Sequence, residues 1–122
     1  MWGGINRRKF PRAEYPCKIT LRTKNHPDTI VSQTENIGIG GICIILPRDL
    51  GIFAPVEIQL DILDGQPVIA CDGTIVWLVK SKKERNANYD TGIEFTNIKS
   101  EDEARVAFIV DRILERTDNS AP

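Results

Sequence analysis

The sequence predicts a small, mainly β domain, namely a six-stranded antiparallel barrel followed by one C-terminal amphipathic helix. Three observations predict this fold class. The chain has 122 residues, about the size of one domain with a single hydrophobic core. Apolar and polar residues alternate in six short segments at near-regular spacing, as in small antiparallel barrels. After Ser100 this period of two changes to the helical period of 3.6.

The strands are predicted from alternation and from the turn residues between them. Asp64-Gly65 is a strong hairpin dipeptide between the fourth and fifth strands, and Gly73 predicts a bulge or bend inside the fifth. Trp77 and Phe95 are interpreted as barrel core rather than as platforms for base stacking. The predicted strands run from Cys17 to Arg22, Thr29 to Glu35, Ile42 to Leu46, Val56 to Leu63, Val68 to Val79 and Tyr89 to Phe95.

The C-terminal segment predicts one amphipathic helix of about 16 residues, whose apolar stripe covers the barrel. The stripe consists of Val106, Ile109, Val110, Ile113 and Leu114. The N-terminal segment has no hydrophobic period and contains Gly3, Gly4 and Pro11. We therefore expect three parts: a flexible, arginine-rich arm over 1–14, the barrel with its helix over 15–116, and a disordered tail over 117–122.

Composition excludes several classes of function. The widely spaced Cys17, Cys43 and Cys71 indicate reduced packing residues rather than disulfides or a zinc site. His26 lies in a turn-like segment and is given no role, and no nucleophile with a neighbouring base is evident, so we expect no enzyme and no cofactor. No apolar run is long enough for a membrane span and no signal peptide is evident, so the expected location is the cytoplasm.

Charge is unevenly distributed although the net charge is only -1. Seven basic residues, Arg7, Arg8, Lys9, Arg12, Lys18, Arg22 and Lys24, precede every acidic residue except Glu14. A general nucleic-acid binder would carry basic residues over the whole domain. We therefore expect a small anionic partner and neither DNA nor RNA.

The arm contains Arg7-Arg8-Lys9-Phe10-Pro11-Arg12. Arg8 and Arg12 are four residues apart, so they share one side of either a helix or an extended chain. A guanidinium can bind phosphate or the O6/N7 edge of guanine through two hydrogen bonds, and it can stack on a base. The alternative interpretation is a basic tail that only improves solubility.

A second feature, Asn36-x-Gly38-x-x-Gly41, lies between two predicted strands. Glycine allows a ligand to approach the backbone closely, and the Asn36 amide can read a base edge. The alternative interpretation is an ordinary glycine-rich turn.

Together, these two features resemble the PilZ domain family, whose pattern is Arg-x-x-x-Arg followed by Asp/Asn-x-Ser-x-x-Gly. The segments Gly73-Thr74-Ile75-Val76-Trp77 and Tyr89-Asp90-Thr91-Gly92-Ile93-Glu94-Phe95 resemble two further strands of the family, and the likeness extends from Asn6 to about Leu114. The resemblance implies a barrel that binds cyclic di-GMP, a bacterial second messenger, often as a stacked dimer of the nucleotide.

The resemblance also implies roles for six residues. Arg8 and Arg12 would clamp phosphate and the Hoogsteen edge of guanine with help from Arg7, while Asn36 would contact guanine. Gly41 would let the base approach, and Gly38 replaces the family's usual Ser, so that one hydroxyl contact is missing.

We therefore predict a cyclic di-GMP receptor whose arm becomes ordered over the ligand and so signals to an unidentified downstream protein. Two alternatives remain. In the first, Gly38 marks a PilZ-fold interaction module that does not bind nucleotide. In the second, the barrel binds single-stranded nucleic acid as OB-type folds do.

Overall fold

The computed structural model describes residues 12–23, 29–80 and 88–120, which form seven strands and one helix. The elements are β1 (Arg12–Glu14), β2 (Lys18–Thr23), β3 (Thr29–Gly38), β4 (Gly41–Leu46), β5 (Pro55–Asp61), β6 (Ile69–Lys80), β7 (Tyr89–Phe95) and α1 (Ser100–Ser120). Neighbouring strands lie in the order β1-β3-β2-β5-β6-β7-β4, and β3 also pairs with β4. Six antiparallel strands, β2 to β7, therefore close into a barrel, which confirms the predicted fold.

The short strand β1 was not predicted. The arm was expected to extend to residue 14, but its last three residues pair with the end of β3, with Ala13 opposite Ile37. Both side chains are buried in the core, Ala13 at 3% exposure and Ile37 at 0%. A strand of three residues with one small apolar side chain is too short to show a period of two, which explains why the sequence pattern did not reveal it.

A kink separates β1 from β2, and the buried hydroxyl of Thr34 spans it. Thr34 Oγ1 donates to the carbonyl of Tyr15 (2.7 Å) and accepts from the N–H of Cys17 (3.0 Å). The Tyr15 hydroxyl donates in turn to the carbonyl of Ile62 (2.8 Å). The hydroxyl thus satisfies the carbonyl of Tyr15 and the N–H of Cys17 between the two strands. Both β1 and β2 pair with the same edge of β3.

The core fills the barrel and continues under the helix. Val106 and Val110 are fully buried, and Ile109, Ile113 and Leu114 pack against the core as partly buried residues. The predicted apolar stripe is therefore the face of α1 that contacts the barrel. The helix continues to Ser120, past the end predicted at residue 116. No helix in the described ranges is long and apolar enough to cross a membrane.

The turn between β5 and β6 anchors the helix to the barrel. Gly65 has a φ of +76° and Leu63 a φ of +61°, so both lie in the left-handed region that a tight turn requires. Arg105 of α1 donates to both carboxylate oxygens of Asp64, each at 2.9 Å, and also to Asp102 at 3.0 Å. Hydrogen bonding from Arg105 lowers the pKa of Asp64.

Gly73 occupies an inward position of β6, where a side chain would not fit. A Cβ there would come within 2.7 Å of Ile93 Cγ2 and 2.8 Å of Ile58 Cδ1. The bulge expected at Gly73 lies further along β6, between Ile75 and Trp77. Gly73 is thus required by core packing. The bulge after Ile75 changes the face of the barrel on which Trp77 lies.

The three cysteines are free and buried, as expected of packing residues. Burial raises the pKa of the Cys17 thiol and raises that of Cys71 to about 11. Cys43 is buried but does not belong to the core cluster. It lies instead on the outer side of the barrel.

Candidate functional site

Strand register places Asn36 on the outer face of the barrel. Ala13 and Ile37 are paired and buried, so the next pair along the same two strands, Glu14 and Asn36, points to the opposite side. On its other edge Asn36 pairs with Cys43 of β4, which pairs with Gly92 of β7. We call the outward residues of this region the site face; its members are Glu14, Asn36, Gly38, Gly41, Cys43, Trp77 and Gly92.

The side-chain oxygen of Asn36 is buried and has no hydrogen-bond partner within the part of the chain that the structure describes. An unsatisfied buried polar group costs about 1–3 kcal/mol. Proteins seldom keep such a group unless something else satisfies it. A hydrogen-bond donor from outside the barrel that reached the Asn36 oxygen would remove this cost.

Three glycines occupy outward positions near Asn36. Gly38 and Gly41 flank the short connection between β3 and β4, and Gly92 lies one strand further. A Cβ at Gly41 would overlap the carbonyl oxygen of Ile93. Gly41 is therefore required for β4 to approach β7, a role that the sequence interpretation did not include. Gly92 likewise leaves room for the indole of Trp77, so both glycines allow close packing on this face.

Trp77 was interpreted as barrel core, and that interpretation is wrong. Trp77 pairs with Gly92, an outward position, and its indole occupies the space that a Cβ of Gly92 would fill. The bulge between Ile75 and Trp77 shifts the alternation, so counting by twos from Ile75 does not give the correct face. Phe95, by contrast, belongs to the core at 9% exposure, as predicted. The half-buried ring of Trp77 lies on the site face.

The arm residues of the predicted site are only partly within the described chain. Arg7 and Arg8 lie outside the described residues. The α-carbon of Arg12 lies directly opposite that of Gly38. The structure thus brings the last position of the arginine motif beside the Asn36-x-Gly38-x-x-Gly41 motif, two segments that are separated by more than twenty residues in the sequence.

Three carboxylates lie on or beside the site face near Asn36. Glu14 lies opposite it on β1, Glu35 precedes it and accepts a hydrogen bond from the Cys43 thiol at 3.7 Å, and Glu94 pairs with Gly41. No metal-binding group of His, Cys, Asp and Glu side chains occurs among the described residues. An anion that binds here would need cations from the arm to offset these negative charges.

Comparison with known proteins gives one family and several similar folds. The model of the PilZ domain matches residues 6–112. No curated protein matches the sequence significantly.

Among solved structures, the fold is similar to that of the Bacillus subtilis inhibitor of motility MotI/DgrA, with a TM-score of 0.74 and 15% identity over 97% of this chain and 55% of that one. MrkH from K. pneumonia gives a TM-score of 0.74 and 16% identity over 92% of this chain and 50% of that one. This chain therefore spans about half the length of these two proteins.

A third structure, the PilZ domain of Escherichia coli YcgR with c-di-GMP, is matched over almost its whole length. The TM-score is 0.69 and the identity 15%, over 94% of this chain and 99% of that domain. At such identities the likeness concerns the fold.

Proposed function

The chain belongs to the PilZ domain family, and from that premise we propose that it is a receptor that binds cyclic di-GMP on the site face of the barrel. The single observation that carries the proposal is the buried oxygen of Asn36, which has no partner among the described residues and lies at the motif position where a guanine would be read. Guanine carries N–H donors on its Watson–Crick edge, and a bound guanine would supply the missing partner.

The arm supplies the cations. Arg8 and Arg12 clamp a phosphate and the Hoogsteen edge of guanine through paired, charge-assisted hydrogen bonds, and Arg7 assists them. The α-carbon of Arg12 lies opposite that of Gly38. This position supports the assignment, because it places Arg12 at the edge of the site face. Carboxylates lie near Asn36, so a ligand with two negatively charged phosphodiester groups stays only when these arginines fold over it. Ligand binding and ordering of the arm are therefore coupled.

Trp77 gives the site a flat aromatic surface. Its indole covers Gly92, in the same row of neighbouring strand positions as Asn36 and Cys43. A guanine that lies over this row can stack against the indole while its edge faces Asn36. Base–aromatic stacking is worth about 1–3 kcal/mol.

Gly38 weakens binding without abolishing it. The hydroxyl that it lacks would contribute one neutral hydrogen bond, about 0.5–1.5 kcal/mol, which corresponds to roughly a 2- to 13-fold change in affinity. The same replacement is the observation that favours a second candidate, a PilZ-fold module that binds a protein and no nucleotide. In either case the chain is a binding module of the bacterial cytoplasm and not an enzyme, and its output is contact with a downstream protein.

Isothermal titration with cyclic di-GMP tests the proposal. The parent chain should bind, and Arg8→Ala and Arg12→Ala should each weaken binding at least about tenfold, because each removes a charge-assisted contact. Arg112→Ala is the matched control, since Arg112 is exposed on α1 and contacts Phe108 rather than the site face. No heat from a folded sample at tens of micromolar protein would refute the function. Unchanged binding by both arm variants would refute the assignment of the arm.

A further inference from the structure

Glu14 is a charged residue of the site face to which the sequence motifs assign no role. Its side chain is exposed, and its α-carbon lies directly opposite that of Asn36. Within the described ranges it takes part in none of the ion pairs or side-chain hydrogen bonds, such as that between Glu57 and Arg22. A carboxylate in this place works against an anionic ligand, so its presence calls for an explanation.

The geometry provides one. Directly opposite residues on paired antiparallel strands have Cβ atoms about 4.5–5.5 Å apart on the same face. Glu14 and Asn36 therefore present two neighbouring acceptors, a carboxylate and the amide oxygen that has no partner in the described part of the chain. Guanine carries two adjacent donors on its Watson–Crick edge, N1–H and the N2 amino group. Adenine has an acceptor at N1 and no amino group at C2.

We infer that Glu14 is a specificity-determining residue that reads guanine and rejects adenine. This inference rests on the proposed function and deepens it, because it assigns base selectivity to β1. The carboxylate accepts one guanine donor while Asn36 accepts the other. With adenine, the carboxylate faces the N1 lone pair, and the repulsion between two acceptors opposes binding.

The rival explanation is that Glu14 is a bystander near the ligand, and the two explanations predict effects of opposite sign. A bystander carboxylate repels the phosphates, so neutralising it would strengthen the binding of any cyclic dinucleotide. A carboxylate that accepts a hydrogen bond from guanine would, when neutralised, weaken the binding of cyclic di-GMP alone. The direction of the change therefore decides between them.

The experiment compares the parent chain, Glu14→Gln and Glu115→Gln by isothermal titration with cyclic di-GMP and with cyclic di-AMP. Glu115→Gln is the matched control because it makes the same charge change at an exposed position of α1. Glu14→Gln should bind cyclic di-GMP about tenfold more weakly, since a charge-assisted hydrogen bond becomes a neutral one. Its binding of cyclic di-AMP should stay equal or become tighter, and the control should match the parent with both ligands.

The outcomes separate this inference from the proposed function. If the parent binds cyclic di-GMP and Glu14→Gln binds it equally or more tightly, the role of Glu14 is wrong and the receptor function stands. If Glu14→Gln loses affinity for both nucleotides by the same factor, Glu14 supports the site without selecting the base, which also overturns the inference. If the folded parent binds neither nucleotide, both the function and the inference are overturned.

Discussion

At the scale of single residues, Asn36 combines a cost for folding with a use in binding. Its buried oxygen lacks a partner among the described residues, so the folded protein without ligand carries the penalty of a desolvated polar group. Sites that bind ligands often contain such locally unfavourable groups, and the stability of the remaining fold tolerates them. Asn36 should therefore affect stability and affinity in opposite directions.

We predict that Asn36→Val raises the free energy of unfolding by about 1 kcal/mol and weakens the binding of cyclic di-GMP. Valine removes the unsatisfied oxygen and suits a strand, since β-branched residues are favoured there. Urea unfolding of the free protein measures the first effect, and calorimetric titration measures the second. Lower stability combined with unchanged affinity would contradict the assigned role. Gln33→Val, an exposed position of the same strand, is the control for strand propensity.

The sequence predicted Asn36 and its glycines, because a polar residue followed by glycines between two apolar strands is a local pattern. It did not reveal Trp77 or Glu14. The face of Trp77 depends on a bulge, and one extra residue in a strand reverses the side on which later residues lie. Glu14 becomes relevant only through its position opposite Asn36, which is far from it in the sequence.

At the scale of elements, local signals located most of the strands. Regular alternation placed β2 to β7, and Asp64-Gly65 marked the turn between β5 and β6. Strand β1 and the last turns of α1 were missed because neither has a repeating apolar pattern. The link between that turn and the helix was also beyond prediction, since Arg105 and Asp64 are 41 residues apart in the chain.

The link between Asp64 and Arg105 should make stability depend on pH. Hydrogen bonding lowers the pKa of Asp64 from its usual 3.8. A carboxylate with a lowered pKa stabilises the folded state above the unfolded-state value, and this contribution is lost as the pH falls through the folded-state pKa. Asp64→Asn should therefore cost about 1 kcal/mol near neutral pH, a value appropriate to a paired but partly exposed ion pair.

The difference between the parent and Asp64→Asn should begin to shrink below about pH 4, where the carboxylate of the unfolded state takes up a proton, and should be lost once the pH is below the lowered pKa of the folded state. Urea unfolding at neutral pH and at several acid values measures it. Asp111→Asn, which changes one exposed carboxylate on α1 that makes no described ion pair, is the control. A difference that is the same at all pH values would show that packing of the turn, and not the ion pair, accounts for the loss.

At the scale of the whole molecule, the core of the described residues consists of the barrel, the helix and β1. Every described member of the core cluster lies at Ala13 or beyond, and the barrel closes through the pairing of β3 with β4. The proposed roles follow from this arrangement. The barrel and helix provide the fold, and Arg7 and Arg8, together with Arg12 at the start of β1, provide the positive charges that bind the ligand. Stability and ligand response should therefore be separable by cutting the chain just before β1.

We predict that a chain lacking residues 1–11 folds as the parent does but no longer responds to cyclic di-GMP. A ligand at about 100 times its dissociation constant stabilises a protein by about 2.7 kcal/mol. For a domain of this size, that corresponds to a rise in melting temperature of roughly 10 °C. The parent should show such a rise in a thermal melt, whereas the truncated chain should melt cooperatively near the parent's ligand-free temperature with and without nucleotide. Loss of cooperative melting would mean that the arm takes part in the fold. An undiminished shift would place the cations that hold the phosphates within the barrel itself.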